Sequence, residues 1–191
     1  MQPADAPGWP GEARIDDVLA DLGGQLEAAE AAELAAEIED RTRRETALIS
    51  VVDRLRASVG SPLSVRTAAG ILVGDLLDAG TDWLLLGGGP GRSALVPLRA
   101  AVAVAGLAPS AVAAASVGPV AGRIDLRHVL RGLVRDREPV RLVVADGTTY
   151  PGVLNRCGAD FIEVTGPAAG RDTGGQSWLV PLAAVVVVHL R

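Results

Sequence analysis

At 191 residues the chain is long enough for one or two domains with a real core, and 49% of it is hydrophobic while only 3% is aromatic, so that core is built from Val, Leu, Ile and Ala. A formal net charge of −5 argues against a protein that coats nucleic acid non-specifically. The single cysteine, Cys157, excludes an internal disulfide and points to a reducing compartment.

The charge is uneven. Residues 1–60 carry 13 acidic side chains against 6 Arg, whereas residues 61–191 carry 10 against 12, and every basic residue is Arg. Residues 1–12 hold Pro3, Pro7, Gly8, Pro10 and Gly11, which predict a flexible tail. This tail has neither the basic nor the apolar region of a secretory signal, and runs such as Val185–Val188 are too short to span a bilayer. The expectation is a cytoplasmic protein with no membrane partner.

Residues 13–59 predict an acidic helical segment. Ile15, Val18, Leu19, Leu22 and Leu26 recur at three- and four-residue spacing, and the Ala/Glu-rich stretch from Glu27 to Arg44 suits an exposed helix. Glu37–Arg41, Glu39–Arg43 and Asp40–Arg44 place acid before base at i,i+4, each pair contributing about 0.2–0.5 kcal/mol. A seam through Leu34, Ile38, Arg41, Glu45, Leu48, Val52, Leu55 and Val59 is interrupted by its two charged members. Gly60-Ser61-Pro62 ends the helix.

Residues 60–107 read as five short strands, with Gly74 permitting a sharp bend. Residues 108–122, rich in Ala, Ser, Gly and Pro, predict a linker. In residues 123–191 a helix capped by Asp125, with Leu126, Val129, Leu130, Leu133 and Val134 on its apolar face, precedes a second strand set.

The two strand sets are copies of one another. Pro62, Val65 and Gly70 match Pro139, Leu142 and Gly147. After one inserted residue, Gly74, Leu76, Gly80 and Asp82-Trp83 match Gly152, Leu154, Gly158 and Asp160-Phe161. After a longer loop, Leu95-Val-Pro97-Leu98 meets an unchanged Leu179-Val-Pro181-Leu182, and Val102 and Val104 meet Val186 and Val188. A leading helix, five strands and a mid-strand glycine predict a small bent barrel of roughly fifty residues. Two such units in one chain could cover one another's strand edges.

On Asp146-Gly147-x-x-Tyr150-x-Gly152-x-Leu154 and Leu179-Val-Pro-Leu-Ala-Ala-Val185 the chain resembles the Sm-like barrels, among them the RNA chaperone Hfq and the Sm-like domain of ribosome-maturation factors. PRC-barrel and SH3-like domains share the same turn and bend logic, and the full layout also resembles a group of uncharacterised actinobacterial proteins. The resemblance implies an α+β fold: a long N-terminal helical segment followed by two small antiparallel Sm-like or SH3-like barrels, the second behind a short helix. It supplies no base pocket. Phe161-Ile162 stand where the family's Asn would fall. Pro181-Leu182-Ala183 and Pro97-Leu98-Arg99 stand in place of the family's Arg-Gly or the Lys-His of Hfq.

No arrangement of nucleophile, base or metal ligands emerges from the remaining polar residues. His128 and His189 lie 61 residues apart without acidic or Cys partners at ligand spacing, and His128 reads as solvated. Cys157 lies in a loop, Gly87-Gly-Gly-Pro-Gly-Arg92 lacks the Gly-Lys-Ser/Thr ending of a phosphate loop, and Asp82 and Asp160 read as turn residues. One polar pattern stands out: Arg123, Arg127, Arg131 and Arg135, spaced by four, with Arg137 and Arg141 beyond. On a helix such a stripe suits phosphates or an acidic partner. The expectation is a non-catalytic binding or scaffolding protein, with no cofactor, metal or small-molecule substrate, that binds protein partners or its own copies. The alternative is an RNA- or DNA-associated regulator using the Arg stripe.

Overall fold

The computed structural model describes residues 12–109, 124–166 and 175–191. Arg123, most of the expected linker and nearly all of the expected N-terminal tail lie outside the described residues. The chain divides into two compact units, Met1–Leu48 and Ile49–Arg191.

In the first unit, α1 (Glu12–Ala47) is a 36-residue helix. Its last turns carry the i,i+4 ion pairs Glu39–Arg43, at 3.7 Å, and Asp40–Arg44. Leu34 and Ile38 remain exposed on it.

The second unit begins with a fresh helix start, α2 (Val51–Ala57). Ser50 Oγ accepts the Asp53 N–H at 3.1 Å while the Asp53 carboxylate accepts the Ser50 N–H at 3.2 Å, a reciprocal cap. Ten strands follow: β1 (Pro62–Thr67), β2 (Gly70–Ala79), β3 (Trp83–Gly87), β4 (Ser93–Pro97) and β5 (Ala103–Ala105), then, after α3 (Leu126–Asp136), β6 (Pro139–Val144), β7 (Thr149–Cys157), β8 (Phe161–Thr165), β9 (Ser177–Pro181) and β10 (Val185–Leu190). They form one antiparallel sheet in the order β5-β1-β2-β3-β4-β10-β6-β7-β8-β9.

This sheet overturns the expected fold. The unit is mostly β and its sheet is open, not a pair of closed Sm-like or SH3-like barrels behind a long helical segment. The reason lies in β4. Its outer edge pairs with β10, through Leu95↔Val188, Ala94↔His189 and Ser93↔Leu190, and so does not close on β5 of its own half. The halves share the strand order 5-1-2-3-4, joined head to tail. Each covers only one edge of the other. Among the described residues, β5 and β9 remain as free edges.

Both halves bend by the same devices. A Cβ on Gly74 would lie 1.9 Å from the Gly87 carbonyl oxygen, and one on Gly152 would lie 2.2 Å from that of Thr165. Each bend is followed by a register shift, between Leu76 and Asp78 in β2 and between Leu154 and Arg156 in β7. The Asp82 and Asp160 carbonyls accept the Leu98 and Leu182 N–H groups at 2.8 and 2.7 Å, starting equivalent 3₁₀ turns.

Two cores form, and each draws on both halves. One gathers Leu63, Val65, Leu76, Leu84, Ala94 and Val96 of the first half with Val143, Val186 and Val187 of the second. The other gathers Leu142, Leu154, Ile162, Val180 and Val188 with Trp83 and Leu95 from the first. The strands β4 and β10 are therefore apolar on both faces, which explains the uninterrupted Val185–Val188 run. Helix α2 packs on β2 through Leu55, and α3 packs on β7 through Leu126 and Leu130. Among the described residues no helix is long and apolar enough to cross a membrane.

The bends make a direct prediction. Gly74→Ala and Gly152→Ala each lower unfolding free energy by at least about 2 kcal/mol, because backbone must move to admit the methyl group. Gly132→Ala in α3, with open space around it, raises stability by about 0.5–1 kcal/mol. Urea denaturation checks all three.

Candidate functional site

Of the sequence-predicted arginines, those described fall on α3, at its end and on β6. Asp125 caps α3 by accepting the His128 N–H at 2.8 Å, which, with the Arg127 guanidinium 3.2 Å away, holds its carboxyl below the ordinary range. Arg127 is thus engaged, and it also donates to the Ala159 carbonyl at 3.4 Å. Arg135 pairs with Asp136 at 3.2 Å. Arg131 is exposed on the helix. Arg137 ends the helix in the left-handed region at φ 53°. Arg141 is on β6, opposite His189 of β10 and Pro151 of β7.

Asp82 has a structural task as well. Its Oδ1 accepts the Leu126 N–H at 2.7 Å, and Trp83 Nε1–H donates to the Ile124 carbonyl at 3.0 Å, tying the start of α3 to the first half. Cys157 is half-buried, and burial pushes its thiol up, away from the nucleophilic thiolate. His128 is exposed. Among the described residues no three His, Cys, Asp or Glu side chains are grouped to hold a metal ion.

Arg141 instead joins a cleft of about 630 Å³ beside the β4–β10 junction, where Arg92, Arg191 and His189 also line the wall without any acidic side chain. None of the three guanidinium groups has a hydrogen-bonded or ion-paired partner among the described residues, although the Arg92 backbone bonds to Gly88 and Gly89. His189 stands opposite Arg141 in the β10–β6 ladder, and its pKa is lowered by burial and by that guanidinium. The cleft can hold an anion. It brings together Arg141, which sequence reasoning singled out, with Arg92 and His189, which it set aside. Only the strand pairing, invisible in spacing, places them together.

The free edges form the second candidate. In β9 only Val180 is buried, with Trp178 43% and Leu179 60% exposed. Beside β5, Val102 is 71% exposed. Trp178 leans on Tyr150 with ring centroids 5.4 Å apart. A short strand with unpaired backbone groups and apolar side chains is a template for another strand.

Compared with known proteins, the chain matches no family model and no curated protein. The resemblance to Sm-like barrels, already at odds with the open sheet, has no family match behind it.

Two predictions follow from these placements. Arg137→Gly removes the cost of a side chain in the left-handed region and raises stability by about 0.5–1 kcal/mol in chemical denaturation. Because the folded-state pKa of His189 is depressed, its neutral form favours the native state. That stability is present above about pH 6.5 and is lost as pH falls through the lowered folded value. The wild-type melting temperature therefore drops between pH 7.5 and 5.5, and His189→Gln shows a smaller drop.

Proposed function

We propose that this chain is a non-catalytic, cytoplasmic binding or scaffolding protein that takes protein partners by strand addition at its free sheet edges. The observation that carries this reading is β9, a terminal strand whose Trp178 and Leu179 lie open to solvent beside unpaired backbone groups. Main-chain hydrogen bonding supplies affinity in such a joint, and the exposed apolar side chains supply specificity. The lone cysteine supports the cytoplasmic assignment. Two groups of the kind that carry catalysis are poorly suited to it here: Asp82 anchors α3, and burial pushes the Cys157 thiol up.

Immobilised full-length protein, exposed to lysate of the native cell, is expected to retain protein partners, and Leu179→Asp is expected to lose at least about nine-tenths of them. The same partners recovered by both would remove the edge from the reading.

A second reading, an RNA- or DNA-associated regulator, draws support from the three arginines that line the junction cleft with no acidic side chain among its lining residues. It requires binding to mixed RNA or DNA that weakens with salt. Replacing Arg92, Arg141 and Arg191 by Ala would abolish that binding if the cleft carries it, and replacing Arg127, Arg131 and Arg135 would abolish it if the α3 stripe does. No binding at low salt eliminates both sites.

A further inference from the structure

The chain contains a finished example of the joint that its free edges lack. At the β4–β10 junction the last-but-one strand type of one half meets the last strand type of the other. The two strands left over, β9 and β5, are the second copy of β4 and the first copy of β10. A shift of 84 residues carries Leu95 onto Leu179, and Val186 and Val188 back onto Val102 and Val104.

Burial divides these positions in a consistent way. Leu95 points into the core beyond the junction and is 0% exposed, whereas its counterpart Leu179 is 60% exposed. Val186 likewise crosses into the other half's core at 4%, whereas Val102 is 71% exposed. By contrast Val180 and Val104, whose counterparts Val96 and Val188 serve their own half's core, are buried and half-buried. Leu179 and Val102, exposed at the two ends, are thus counterparts of residues that reach into a neighbour in the internal joint, while Trp178, whose counterpart Ala94 serves its own half's core, is 43% exposed as well.

We infer that the occupant of the free edges is a second copy of this chain, with β9 of one copy pairing antiparallel to β5 of the next in the register Leu179↔Val104, Trp178↔Ala105 and Ser177↔Gly106. This rests on the strand-addition reading of the edges and names the partner. The register transfers the internal pairs Leu95↔Val188, Ala94↔His189 and Ser93↔Leu190. In the joint Leu179 reaches toward the first-half core of the next copy, and Val102 reaches back toward the second-half core of the first. The two surfaces differ, so the contact is heterologous and does not stop at two copies: it propagates until it closes a ring or continues as an open chain. One position departs from the template. Leu85, which packs on the core beyond the internal junction, has Glu163 as its counterpart, so the new joint buries less apolar surface and is weaker than the internal one.

Light scattering on the purified full chain over a hundredfold range of concentration tests this. The wild-type mass is expected to rise with concentration past that of two chains. Leu179→Asp, blocked at β9, and Val102→Asp, blocked beside β5, are each expected to stay monomeric. Their equimolar mixture, which retains one intact β9 and one intact β5, is expected to form a species of two chains and no larger. Thermal unfolding confirms that each variant is folded, and Leu179→Ser and Val102→Ser replace any that is not. Self-association of Val102→Asp alone, or no heterodimer in the mixture, would overturn the inference. So would a wild-type monomer at every concentration. If that monomer still captured foreign protein through Leu179, the strand-addition reading would survive without a second copy; if it captured none, both would fall.

Discussion

The antiparallel pairing of β4 with β10 is the contact on which the rest of the second unit depends. It converts two incomplete five-stranded sheets into one and places a two-stranded ribbon between two cores. Leu95, Val186, Val187 and Val188 are all nearly inaccessible there, and burial of each such side chain contributes about 1.5–3 kcal/mol. Neither half has a complete core without the other. Trp83 and Leu95 belong to the core of the second half, while Val143, Val186 and Val187 belong to that of the first. Folding of one half therefore draws on the other, although their strand registers are internally repeated.

The duplication explains the asymmetry of the ends. A repeat whose joining surfaces differ always leaves one of each surface unused when only two copies are linked. Sequence identity between Leu95-Val96-Pro97-Leu98 and Leu179-Val180-Pro181-Leu182 thus coexists with opposite environments, the first a buried interior strand and the second an exposed terminal one. Natural edge strands are commonly protected by charge, proline or a covering element. The edge at β9 has Pro181 at its end and Glu163 on the neighbouring strand, but keeps Trp178 and Leu179 open. The positive charge is arranged by the same junction. It brings Arg92 from the first half beside Arg141 and His189 from the second, a grouping that neither half has alone.

Local structure was legible in the sequence wherever a residue's role is set by its immediate neighbours. The positions of the strands, the Asp125 cap and the chain stop after Asp136 follow from propensity, capping and the Glu138-Pro139 breaker. So do the paired bends at Gly74 and Gly152, since only a residue without Cβ permits the close backbone approach found there. The duplication, too, was readable as an ordered set of matches. Only the tertiary structure decided which strand edge meets which. Val-rich strands carry no label for their partner, and the backbone hydrogen bonds that join β4 to β10 are the same as those that would close a half upon itself. That choice opened the sheet, brought Arg92 beside Arg141 and His189, and determined that of two identical Leu-Val-Pro-Leu strands one is buried and the other free.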